Sequence, residues 1–189
     1  MIVARPRGHE ITVVDKLREP VRLGAGLGAD KQLSPEAHQR AMDCLEQFGQ
    51  RLRAIPPGRA RVVGTNTLRR MRNPKQFLAA AERALGHPVE VISGVAEARR
   101  IYGGVVHGLC ADKARRLVID IGGGSTEVII GERDSPRLLE SVRMGCVSYT
   151  DRFFSGGEIT RKRFMAARMA ARLEADYLAS EYTECGWDL

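Results

Sequence analysis

Leu117-Val-Ile-Asp120-Ile-Gly-Gly-Gly-Ser125-Thr-Glu127-Val-Ile-Ile-Gly131 is the stretch whose reading decides the fold. Within the run 115–121, Leu117-Val-Ile is apolar and ends in the acid Asp120, which predicts a buried strand. Residues 126–132, TEVIIGE, are rich in β-branched side chains and predict a second strand. What lies between is glycine and serine, so the segment reads as a β-hairpin with a glycine tip. Glycine lets a backbone turn sharply and lets its N–H groups approach an anion closely. Ser125 and Thr126 add hydroxyl donors. Asp120 and Glu127 are hard oxygen ligands of the kind Mg²⁺ accepts alongside water and phosphate oxygens. A P-loop is excluded, because it needs Lys followed by Ser or Thr. A dinucleotide fingerprint is excluded, because it needs a helix after the glycines. A plain turn without a ligand is the other reading of the same residues.

Outward from this hairpin the elements fall in a regular order. Downstream, residues 137–143 predict a third strand and 158–181 a long amphipathic helix. On that helix Met165, Met169, Leu173 and Tyr177 are spaced by four and are expected to pack in the core. Arg161, Lys162, Arg163, Arg168 and Arg172 are expected to form a solvated face. Upstream, strands at 2–5 and 10–15 flank a turn at Arg7-Gly8-His9, so the hairpin device is used twice. A Gly-rich segment, 23–30, follows. Ser34-Pro35-Glu36 is a helix start, with Ala41, Leu45, Phe48 and Leu52 on one face. Strands at 60–64 and 88–92 enclose a helix that opens at Asn73-Pro74, carries Phe77, Ala81 and Leu85, and ends at Gly86. A further helix spans 95–106. This order implies layered α/β sheets, with a boundary near 107–114.

Composition narrows the function. The chain has 189 residues, 43% hydrophobic and 28% charged, which excludes wholesale disorder and collagen-like repeats. No apolar run approaches the ~20 residues of a membrane span. The start, MIVARPRGHE, lacks the apolar stretch of a secretory signal. Cys44, Cys110, Cys146 and Cys185 form no C-x-x-C pair, which suits a reducing, cytoplasmic setting. The net charge of +7 favours an anionic partner: nucleic acid, an acidic membrane surface or a phosphorylated substrate. Nucleic acid lacks support, because there is no recognised motif and no aromatic platform.

Two further segments hold candidate chemistry. VGTNTLRR, 63–70, leaves a strand and presents Asn66, Thr67 and Arg69, a set suited to oxyanions and equally to an ordinary polar loop. ISGVAEAR, 92–99, leads into a helix with Glu97 in its first turn. That acid fits a general base for water attacking phosphorus, and it also fits a carboxylate that complements the helix dipole.

In this order and spacing, EPVRLGAGL, GTNTLRR, SGVAEAR, DIGGGSTEVIIGE and RMGCVSYTDRFF together resemble the exopolyphosphatase / guanosine pentaphosphate phosphohydrolase family. That family belongs to the actin–hexokinase–sugar kinase superfamily, and the match runs over essentially the whole chain. The resemblance implies an α/β, actin-like (ribonuclease H-like) fold of two lobes with mixed sheets and a cleft between them. Residues 1–108 would form the first lobe with its bridging helix, and 109–189 the front of the second. Glu97 matches the catalytic base. Asn66, Thr67, Arg69, Gly122, Gly123, Gly124, Ser125 and Thr126 match phosphate-binding positions. Asp120 and Glu127 match the acids that hold Mg²⁺.

The implied activity is release of orthophosphate from the end of inorganic polyphosphate, and RMGCVSY followed by ARMAA leans to that side. Guanosine pentaphosphate hydrolysis, and a catalytically impaired fragment that binds polyphosphate or nucleotide, are the alternatives. The full-length protein is expected as a homodimer. The family's first phosphate loop, Asp-x-Gly-Ser-Asn-Ser, is not in this sequence, nor is its later Gly-Ala-Ser-Gly-Thr segment, and Ala96 replaces the first Glu of the usual pair. Both lobes are therefore expected to be incomplete, with an unfilled sheet edge and weak or absent turnover.

Overall fold

The computed structural model describes residues 1–8, 10–109 and 112–188. His9 of the expected turn and Cys110 lie outside them. By packing, the chain forms two compact units: Met1–Val63 with Met71–Glu90, and Gly64–Arg70 with Val91–Leu189. The expected grouping, 1–108 and 109–189, differs from this division by packing. In the structure the 64–70 segment and the helix after residue 93 pack with the second unit.

In the first unit, β1 (Ile2–Arg7) and β2 (Glu10–Lys16) form an antiparallel hairpin with Arg7 opposite Glu10. Gly8 turns it with φ 61°. Helix α1 (Pro35–Leu52) starts where Ser34 accepts a hydrogen bond from the Ala37 N–H. A second helix, Pro74–Leu85, ends at Gly86 with φ 70°, as the sequence predicts. The two helices press together at Gly49, where a Cβ would overlap the carbonyl of Ala84. Their buried residues include Ala41, Leu52, Phe77 and Leu85. A cavity of about 1200 Å³ is walled by Met1–Pro6 of β1, by Val62 and Val63, and by Leu45 and Phe48 of α1. The hairpin keeps Ile11, Val13 and Val14 more than half exposed.

Short strands β3 (Val62–Gly64) and β4 (Val89–Val91) pair, and along both the chain passes from one unit to the other. Between them lies a five-residue helix that the sequence reading leaves as a loop, α2 (Asn66–Arg70), followed by the Pro74–Leu85 helix, α3.

The second unit is built on an antiparallel sheet in the order β5 (Arg115–Ile121), β6 (Thr126–Glu132), β7 (Ser135–Val142). Helix α4 (Gly94–His107) covers one face, where Ala98, Tyr102 and Ile129 form a buried cluster. Helix α6 (Arg161–Cys185) covers the other face, where Leu178 and Tyr182 meet Ile130 and Val142. Helix α5 (Cys146–Phe153) lies between β7 and α6 in sequence. The described sheets are small, with two strands, two strands and three strands.

One expectation is corrected. The stripe on α6 is not in the core: Met165, Met169, Leu173 and Tyr177 are all exposed, and the helix instead buries Ala167, Leu178 and Tyr182. Period-four spacing marks an apolar face but does not say what that face meets. Among the described residues no helix is long and apolar enough to cross a membrane.

Candidate phosphate site

Register creates the site. Glu127, on the central strand β6, is opposite Asp120 on β5 and opposite Ser141 on β7. The three side chains therefore form a row across the sheet. Glu127 is 1% exposed, and its Oε1 accepts a 2.7 Å hydrogen bond from Ser141 Oγ. Burial pushes its carboxyl above the usual range, and the nearby carboxylates of Glu97 and Asp120 push it further; the hydroxyls of Ser141 and Ser125 oppose this. Asp120, at the end of β5, is exposed.

Ser141 is the residue that sequence reasoning missed. A bulge between Ile130 and Gly131 shifts the β6–β7 register. Counting back from the turn at Arg133-Asp134 without that bulge would put Glu140 opposite Glu127. A one-residue slip exchanges the two faces of a strand, so the bulge decides which side chain meets the acid.

Glu97 sits in the first turn of α4, where Ser93 caps the helix by accepting from the Ala96 N–H. It is not a bare dipole complement. Arg69 Nη1 reaches it at 2.9 Å and also donates to the Ile92 carbonyl at 2.8 Å. The pair is partly buried, with side chains 24% and 18% exposed. Helix α2 supplies the arginine and also presents Asn66 at its start. A Cβ added to Gly124 would lie 2.7 Å from Asn66 Oδ1, so the carboxamide rests against the hairpin tip. A Cβ on Gly94 would overlap Ser141, which explains how closely α4 approaches the acid row. Thr67 is half-buried on α2 and has no side-chain hydrogen bond among the described residues.

The tip itself is tight. The N–H of Gly122 donates to the Ser125 carbonyl at 2.9 Å. None of Gly122, Gly123 and Gly124 has φ in the left-handed region; room is tight at Gly122, where a Cβ would lie 3.0 Å from the Ser125 carbonyl oxygen, and at Gly124, but not at Gly123. From above, α5 donates its opening amides to the tip: Cys146 N–H to Gly122, and Val147 and Ser148 N–H to Gly123. With those carbonyls engaged, the N–H groups of Gly123 and Gly124 have no acceptor among the described residues. Two expected hydroxyl donors are occupied within the protein. Thr126, 2% exposed, donates to the Met144 carbonyl, and Ser125, 5% exposed, lies beside Glu127.

The sequence profile of the Ppx/GppA phosphatase family matches residues 2–189. The chain is a member of the Ppx/GppA phosphatase family. It is 44% identical over 189 residues to a Vibrio cholerae serotype O1 protein named guanosine-5'-triphosphate,3'-diphosphate pyrophosphatase, covering 100% of this chain and 38% of that protein. It is also 44% identical over 187 residues to a Haemophilus influenzae protein named, as a provisional assignment, an exopolyphosphatase; 99% of this chain and 58% of that protein are covered. The crystal structure of an exopolyphosphatase-like protein superposes with a TM-score of 0.84 at 27% identity, over 92% of this chain and 56% of that chain. The α/β fold class expected from the sequence holds, and the fold is that of an exopolyphosphatase-like protein. The chain spans less than two thirds of the length of each of these relatives.

Proposed function

We propose that this chain supplies the acid row and glycine tip of a site that hydrolyses the terminal phosphoanhydride of a phosphate chain. The observation that carries the reading is the row Asp120–Glu127–Ser141, set beside Glu97 and bordered by the free N–H groups of Gly123 and Gly124. The Vibrio relative's name makes guanosine pentaphosphate the first substrate to test. The Haemophilus relative's name and the RMGCVSY segment keep inorganic polyphosphate as the second. The sequence alone ordered the two the other way.

The donor set fits Mg²⁺. Asp120 and Glu127 offer hard oxygens from facing strands, and burial first, with the carboxylates of Glu97 and Asp120 adding to it, holds the Glu127 carboxyl above its usual range, a setting in which a cation would favour the ionised form. No three His, Cys, Asp or Glu side chains converge as a metal group among the described residues. Water and phosphate oxygens would therefore complete the shell, as Mg²⁺ commonly requires. When bound, the ion would offset charge on phosphoryl oxygens.

The chain's own residues would do the rest. The Gly123 and Gly124 N–H groups and Arg69 would stabilise the charge that spreads over the oxygens during transfer. Asn66 and Thr67 would orient the phosphate chain. Glu97, fixed in direction by Arg69, would position or deprotonate the attacking water.

Two measurements test this. In the Vibrio relative, Glu→Gln at the position matching Glu97 should lower kcat by about 10²–10⁴-fold with KM little changed. Unchanged turnover would remove Glu97 from the role. For the 189-residue chain, calorimetric titration with guanosine pentaphosphate and with polyphosphate, each with Mg²⁺, should show binding that Glu127→Gln weakens. A chain that binds neither would overturn the site.

A further inference from the structure

Glu127 lies on the sheet face that α4 covers. Ile129, two residues along β6, packs with Ala98 and Tyr102 of that helix, and side chains two apart on a strand share a face. Asp120 and Ser141 join that face through their register with Glu127. Glu140, next to Ser141 on β7, falls instead with Leu138 and Val142 on the face against α6. The bulge at Ile130/Gly131 thus places a small hydroxyl beside the buried acid, and keeps another carboxylate away from it.

That hydroxyl supplies what the acid lacks on its own. The last torsion of a Glu side chain is broad, so the side chain itself does not fix the plane of the two oxygens. A donor does. Ser141 Oγ donates to Glu127 Oε1 at 2.7 Å. The serine is confined in turn. A Cβ on Gly94 would lie 2.4 Å from Ser141 Cβ and 2.6 Å from its Oγ, so the first residue of α4 already rests against it. The same helix carries Glu97 in its first turn. Ser141 therefore touches both the buried acid and the helix that presents Glu97.

We propose that Ser141 is a positioning residue: its hydroxyl fixes the plane of the Glu127 carboxylate, so that the lone pairs left free serve a cation together with Asp120. It acts through Glu127 rather than on the substrate. The role rests on the reading that Asp120 and Glu127 hold Mg²⁺. Hydrogen-bond donors behind a metal-ligating carboxylate typically carry about 10–100-fold in metal affinity. Alanine at 141 removes the donor and leaves a buried oxygen without it. Cysteine keeps a similar shape with a weak donor. Threonine keeps the hydroxyl on a residue that strands favour.

The test is calorimetric titration of the 189-residue chain with Mg²⁺ alone, for the wild type, Ser141→Ala, Ser141→Cys and Ser141→Thr, with Glu127→Gln as the reference for a lost ligand. The wild type should bind and Glu127→Gln should bind least. Ser141→Ala and Ser141→Cys should weaken binding by ~10–100-fold, and Ser141→Thr should lie nearer to the wild type than to either. Circular dichroism melts without Mg²⁺ accompany each variant. The loss of affinity should not track melting temperature, as it would if the serine only supported the sheet. Should Ser141→Ala fail to fold, Ser141→Cys carries the comparison. Ser141→Ala and Ser141→Cys that bind Mg²⁺ as tightly as the wild type, beside a weakened Glu127→Gln, overturn the role of Ser141 and leave the acid pair as the cation site. A wild type that takes up no Mg²⁺ overturns the acid pair as a cation site, and the role of Ser141 with it. Ser141→Thr that melts like the wild type yet binds no better than Ser141→Ala also overturns the role, because the hydroxyl would not be the operative group.

Discussion

Hairpin β1–β2 turns at Gly8, and a Cβ there would meet nothing within 4 Å. Hairpin β5–β6 turns at Gly123-Gly124, and a Cβ on Gly145, above it, would overlap the backbone of both glycines. From their sequences the two look like one device used twice. They differ in what surrounds them. The first pairs only with itself and leaves Ile11, Val13 and Val14 open. The second is flanked by β7, covered by α4 and α6, and held at its tip by the first amides of α5. The second glycine turn differs in that neighbouring elements engage its carbonyls, while the N–H groups of Gly123 and Gly124 have no acceptor among the described residues.

Breaking the tight tip should give the largest effect. Gly145→Ala puts a methyl into backbone that cannot step aside, and should cost about 3 kcal/mol. Gly8→Ala meets no atom and should cost only the left-handed backbone penalty, about 1 kcal/mol. Equal losses in urea unfolding of the two variants would mean that the hairpins are held alike, and the contrast would fall.

A second effect sharpens the contrast through pH. Folding raises the Glu127 carboxyl above its ordinary value, mainly through burial. Between that ordinary value, about 4.3, and the raised one, the folded state binds more protons than the unfolded state, so stability falls as pH rises through the window. Below it both states are protonated and the penalty vanishes. Glu127→Gln should therefore melt higher than the wild type at neutral pH and alike in acid. Added Mg²⁺ should raise the wild-type melting temperature more than the variant's. A variant that melts lower at neutral pH would mean that its carboxylate is compensated in some other way.

The smallest effect belongs to the open hairpin. Val13→Thr, on an exposed strand, should shift stability by no more than about 0.5 kcal/mol in the same urea series. A larger loss would show that β1–β2 is packed in solution.

Much of this could be read from the residues. Ser34, Ser93 and Gly86 mark helix ends by specific backbone hydrogen bonds or φ values, and the structure places the ends there. Asp120 and Glu127 flank a short tip, so their pairing follows from hairpin geometry alone. Helix α2 was not legible, because five residues carry no period. Ser141 was not, because one bulge moves it into register. The exposure of the α6 stripe is not legible either, because amphipathicity fixes a face and leaves its partner open. The hydroxyl of Thr126 was assigned outward by its neighbours in sequence, whereas its bond to Met144 comes from a segment 18 residues on.

The three bonds from α5 to the tip have an entropic consequence. Fixing a residue's backbone costs about 1–2 kcal/mol. For Gly122 and Gly123, the most mobile residue type, that ordering is completed when the chain folds. If the tip binds an anion, as proposed, that ordering would not have to be met again out of the binding free energy.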